Sequence, residues 1–138
     1  MKLLEIKSFY LYKAVNDDVI NSLEKNKSYL LKGNKQKFTS TTRKLSDIDN
    51  QFGSGIVQID ISKLPLNCKI IDVKYNWDWL KSNPEICMKV TGKSPEDWEE
   101  WSADNSEINN EIKELYGSEK ETIIVNLQEL NSAFCKIV

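Results

Sequence analysis

Two short segments set hydroxyls and carboxylates at the edges of apolar, β-branched runs. One is Lys37-Phe38-Thr39-Ser40-Thr41-Thr42; the other is Ser118-Glu119-Lys120-Glu121-Thr122-Ile123-Ile124-Val125. Both patterns predict strands, and a strand repeats its side chains every two residues, so Glu119 and Glu121 share one side. Two such strands brought together gather hydroxyls and acids in one cleft, where a substrate site is expected. The chain contains no histidine. That removes serine–histidine and cysteine–histidine nucleophiles, histidine general-base ribonucleases and most zinc enzymes. The chemistry is left to carboxylates, hydroxyls, lysines and tyrosines.

The formal charge of −2 hides a division. From Lys25 to Lys44 the chain carries Lys25, Lys27, Lys32, Lys35, Lys37, Arg43 and Lys44 with no acid among them. From Glu96 to Glu121 it carries ten acids against Lys113 and Lys120. The basic stretch either faces phosphates or simply solubilises a surface. Arg43 is the only arginine, so bidentate phosphate recognition has a single candidate. Cys68, Cys87 and Cys135 are odd in number and widely spaced, which predicts buried thiols in a reducing compartment. Glu5, Lys7 and Lys13 interrupt any apolar leader, and no run approaches a bilayer span, so a cytoplasmic location is expected.

The elements that must position the hydroxyls and acids follow in order. At 138 residues one domain is expected. Ser8 to Val15 reads as a strand, and Asn16 caps a helix with Asp17 and Asp18 in its first turn and Val19, Ile20 and Leu23 on one face. Tyr29 to Leu31 is a short extended piece, Gly33-Asn34 a turn and Gln36 to Thr41 a strand. Ser46 is expected to cap a short helix through Asp49 that ends at Gly53. Gly55 to Ser62 and Lys69 to Lys74 are strands joined by the Leu64-Pro65-Leu66-Asn67 turn. Trp77 to Tyr116 is helical, with capping signatures at Asn83-Pro84, Ser94-Pro95-Glu96 and Asn105-Ser106-Glu107 and Gly117 closing the last helix. All four tryptophans lie there, and their main expected role is to pin this stretch onto the sheet. Thr122 to Val125 and Phe134 to Val138 complete an α+β domain.

This order resembles the mono-ADP-ribosyltransferases of bacterial toxins and phage effectors, in the class named for its arginine, serine and glutamate. Leu11-Tyr12-Lys13 is similar to the family's first motif and Phe38-Thr39-Ser40-Thr41 to its Ser-Thr-Ser strand. Gly55-Ile56-Val57-Gln58-Ile59-Asp60-Ile61 is similar to its Gly-x-Val strand, and Glu119-Lys120-Glu121 to its Glu-x-Glu motif. The resemblance spans nearly the whole chain, with the helical, Trp-rich stretch of about 77–116 as an insertion. It implies a split antiparallel or mixed sheet with an N-terminal helix.

It also implies NAD as co-substrate, without a metal, and a macromolecular target, with protein favoured over nucleic acid and no membrane partner. Glu121 is implied as the carboxylate at the ribose, Glu119 as the group that activates the acceptor, and Ser40 as the bond that fixes Glu121. Tyr12, Lys13, Thr39, Thr41 and Arg43 are implied as NAD contacts. The family's arginine is replaced by Lys13, which keeps the charge and loses the fork of donors. Arg43, three residues past Ser40, is the alternative phosphate ligand. A second expectation is a non-catalytic module on a degenerate version of this fold, whose acidic, Trp-rich segment occupies a basic partner.

Overall fold

A computed structural model describes residues 9–48, 53–74, 77–104 and 121–138. The first strand, β1 (Tyr10–Val15), alternates as its sequence demands, burying Leu11 and Val15 on one side. Asn16 leaves the strand in an extended conformation, and its side-chain oxygen accepts the Val19 N–H at 3.1 Å. That cap starts α1 (Asp17–Asn26), whose first-turn acids, Asp17 and Asp18, complement the helix dipole. Val19 and Leu23, one turn apart, are buried, and Ile20 packs beside them. Lys27 ends the helix in the left-handed region and returns its N–H to the Leu23 carbonyl. Asn16→Ala is therefore expected to lower stability by about 1 kcal/mol, read as a fall in the denaturation midpoint; an unchanged midpoint would show that the cap is dispensable.

After β2 (Ser28–Leu30), the segment Asn34–Lys37 forms a single helical turn, α2, so the strand expected from Gln36 begins only at Phe38. This turn leads directly into β3 (Phe38–Thr42). The short helix expected from a Ser46 cap is instead a 3₁₀ turn, Leu45–Asp47, with Ser46 inside it and no side-chain cap. Of its expected continuation, Asp49 lies outside the described residues. Strand β4 (Gly55–Asp60) buries Val57 and Ile59, then yields to a 3₁₀ turn at Ile61–Lys63 because Asp60 caps Ser62 through its carboxylate. Strand β5 (Lys69–Asp72) follows the Pro65 turn, in which the Cys68 N–H donates to the Pro65 carbonyl. Strands β6 (Glu121–Val125), β7 (Glu129–Asn131) and β8 (Cys135–Ile137) close the chain.

Six strands form one antiparallel sheet in the order β5-β6-β3-β1-β4-β8, and β2 pairs with β7 in a second, two-stranded sheet. The architecture is α+β. One core joins the two sheets and α1 through Leu11, Val15, Leu23, Val57, Ile59 and Leu130, among others. Strands adjacent in the sheet are distant in sequence: β3 pairs with β6, and Ser40 meets Glu121 81 positions away.

The chain divides into two compact units, Met1–Asp72 with Glu121–Val138, and Val73–Lys120. The second unit contains α3 (Trp77–Ser82), α4 (Pro84–Thr91) and α5 (Pro95–Asp104). Pro84 opens α4 as expected, although the Asn83 side chain donates back to the Trp79 carbonyl rather than capping. The Ser94 hydroxyl does cap, accepting the Asp97 N–H at 3.2 Å. The third signature, Asn105-Ser106-Glu107, lies outside the described residues, as does Gly117. Trp98 closes this unit's own core against Leu80 and Cys87, with Trp79 and Val90 packed on it. Among the described residues no helix is long and apolar enough to cross a membrane.

All three cysteines are thiols, with Cys87 and Cys135 buried and Cys68 partly exposed. Burial pushes the Cys135 thiol up to about 12, against a smaller opposing effect of a backbone hydrogen bond at Asn131. Only the thiolate alkylates, so at pH 8 iodoacetamide is expected to reach Cys68 well before Cys135 in the folded chain. Peptide mass spectrometry reads the order, and Cys135 labelling first would contradict the packing.

Candidate active site

Strands β3 and β6 are aligned from Phe38 opposite Val125 to Thr42 opposite Glu121. That register sets Ser40 opposite Ile123 and diagonal to Glu121 on the same face. Across this diagonal the Ser40 hydroxyl donates to Glu121 Oε1 at 2.7 Å. Both residues are half-buried, and Thr42, directly opposite Glu121, is buried. A hydroxyl-to-carboxylate bond of this length is charge-assisted and fixes the orientation of the acid. The hydroxyls of the first third of the chain and the acid of the last fifth thus meet.

Tyr12 joins the same face, because it pairs directly with Thr42. Lys13, Thr39 and Thr41 do not. Lys13 pairs with Val57, a fully buried core residue, so its side chain leaves the strand on the opposite face. The β1–β3 ladder carries the single pairing Tyr12–Thr42, and beyond it the Lys13 ammonium donates to the Ser40 carbonyl at 3.2 Å. Lys13 therefore braces the backbone that carries the serine, where the ladder itself no longer does. Thr39 and Thr41 are buried, and their hydroxyls serve the backbone: Thr39 donates to the Lys35 carbonyl at 2.5 Å and Thr41 to the Thr122 carbonyl at 2.6 Å.

Arg43 is held by Asp72, with Nε donating to Oδ1 at 2.8 Å and Nη2 to Oδ2 at 3.2 Å. Thr122 Oγ1 donates to the same Asp72 Oδ1 at 2.8 Å, tying the ends of β3, β5 and β6 together. In sequence Asp72 is one residue of the Lys69–Lys74 strand, and it carries no local sign of an arginine 29 positions away. Glu119 lies outside the described residues. Of the residues implied by the resemblance, the structure brings together Ser40, Glu121 and Tyr12 on one face and sets Lys13, Thr39 and Thr41 on the other.

The arrangement offers an oriented carboxylate, a hydroxyl that holds it and, two strands from the acid on the same face, a phenol. Such a group stabilises developing positive charge or holds a sugar hydroxyl. Family models, curated proteins and solved structures contain no match to this chain.

Proposed function

We propose that this chain is an NAD-dependent mono-ADP-ribosyltransferase, with an ADP-ribosyltransferase-like split sheet and a macromolecular target. The observation that carries this reading is the 2.7 Å bond between Ser40 and Glu121, which joins two of its motifs across 81 positions of sequence. The order of strand, helix, hydroxyl-bearing strand, Gly55-led strand and acid-led strand supports it. In the reaction the bond between ribose C1′ and the nicotinamide nitrogen breaks, and nicotinamide leaves as a neutral molecule with the bonding pair. The ribose becomes oxocarbenium-like. Glu121 stabilises that charge and accepts a hydrogen bond from the 2′-hydroxyl. A nucleophile of the target, or water, then bonds to C1′ and gives up its proton to a carboxylate, the role the resemblance gives Glu119. Ser40 keeps Glu121 aimed throughout.

One observation favours the second reading, a non-catalytic module on the same fold: both cations implied as phosphate ligands are engaged within the protein, Lys13 by the Ser40 carbonyl and Arg43 by Asp72. Incubation of the purified chain with NAD separates the two. The transferase releases nicotinamide, measured by chromatography, and moves label from NAD to a macromolecule in a lysate. Nicotinamide formation at the rate of buffer alone leaves only the binding module.

A further inference from the structure

Glu121, Thr42, Tyr12, Gln58 and Lys136 stand in one transverse row across five neighbouring strands, each directly opposite the next. Directly opposed residues project from the same face of a sheet. At about 4.8 Å per strand, the row runs roughly 19 Å from the carboxylate to the lysine, measured along the backbone. Tyr12 and Gln58 are half-buried and Lys136, on the edge strand, is exposed. The row thus begins at the acid held by Ser40, passes a phenol ring and an amide, and ends on an ammonium group.

We infer that Tyr12, Gln58 and Lys136 form the strip that binds the ADP-ribose portion of the dinucleotide, with Lys136 as its diphosphate contact. The inference rests on the transferase reading. It answers the question that reading leaves, namely which cation meets the phosphates when Lys13 faces the core side and Arg43 is clasped by Asp72. A ribose held at Glu121 places the rest of the molecule on this face. Tyr12 supplies a flat apolar surface with a hydroxyl at its tip, suited to the face of the ribose that leads from Glu121 to the diphosphate. Gln58 offers both a donor and an acceptor to ribose hydroxyls. Lys136 meets phosphate as a point charge, with no bidentate geometry to satisfy.

One other lysine in the ladders shares this face. Lys69 pairs with Val125, and the path to it from Glu121 crosses Ile123 and Val125, both apolar. That path gives a dinucleotide no polar partner, so Lys69 serves as the control.

Calorimetric titration with ADP-ribose tests the strip without requiring turnover. Lys136→Glu is expected to weaken binding by about tenfold or more, since one close charge contact is worth about that factor. Lys136→Gln should fall between it and wild type, and Lys69→Glu should stay within about twofold. Both lysines are exposed, so the fold is not at stake, and circular dichroism checks it. Equal affinity of wild type and Lys136→Glu overturns the strip, even where nicotinamide release still depends on Glu121. Absence of ADP-ribose binding by wild type overturns it too. Binding that depends on Lys136 without any nicotinamide release keeps the strip and removes the catalysis.

Discussion

Glu121→Gln is expected to slow nicotinamide release by about 10²–10³-fold while leaving the fold intact. Glutamine has the same length and keeps an oxygen that accepts the Ser40 hydroxyl bond, so the geometry at 2.7 Å has no reason to change. In the proposed reaction, what disappears is the negative charge that would face the ribose as its own positive charge develops. A carbonyl dipole replaces a full anion in a partly desolvated site, where electrostatic stabilisation is worth most. Ser40→Ala removes only the group that orients the acid. Its cost is expected to be nearer tenfold, the order of one oriented hydrogen bond. Initial rates by chromatography, with thermal midpoints of the three proteins, make the comparison. Equal rates for wild type and Glu121→Gln would remove the carboxylate from the chemistry, and a serine effect larger than the glutamate effect would reverse the assigned roles.

How far the sequence discloses this site depends on whether a feature is local or set by pairing. The Asn16 cap is local: an oxygen three residues from the N–H that it accepts, followed by two acids, is visible in the chain itself. So is the alternation that buries Val57 and Ile59 in β4. The meeting of Ser40 and Glu121 is not local, and motif order alone anticipates it. Lys13 shares the side of Leu11 and Val15 by simple alternation, but Tyr10, Tyr12 and Ala14 make the other side of β1 apolar too, so it is the pairing with Val57 that shows which side meets the core. A single strand's sequence contains no register. Asp72 and β7 were lost for related reasons: a lone acid at a strand end does not announce its arginine, and three residues are too few to show a period. Ser46 misled in the opposite sense, since a capping residue signals a helix only where the following residues continue one.

Gly53→Ala is expected to cost about 3 kcal/mol or more of stability, because two penalties coincide there. Gly53 sits at φ 140°, a conformation that L side chains rarely adopt. A Cβ built on it would also collide with the carbonyl of Val15, backbone against backbone, where no rotamer change gives relief. Val15 ends β1 and Asn16 caps α1, so relaxing the clash displaces the junction from which both the buried face of β1 and the first turn of α1 are hung. Gly33 isolates the steric part: its φ is 61°, but a Cβ there meets nothing within 4 Å. Gly33→Ala is accordingly expected to cost only about 1 kcal/mol. Denaturant unfolding of the two variants tests the difference. Equal losses would mean that backbone conformation alone matters at Gly53; a far larger loss at Gly53 would show that the clash with the Val15 carbonyl adds to the conformational cost.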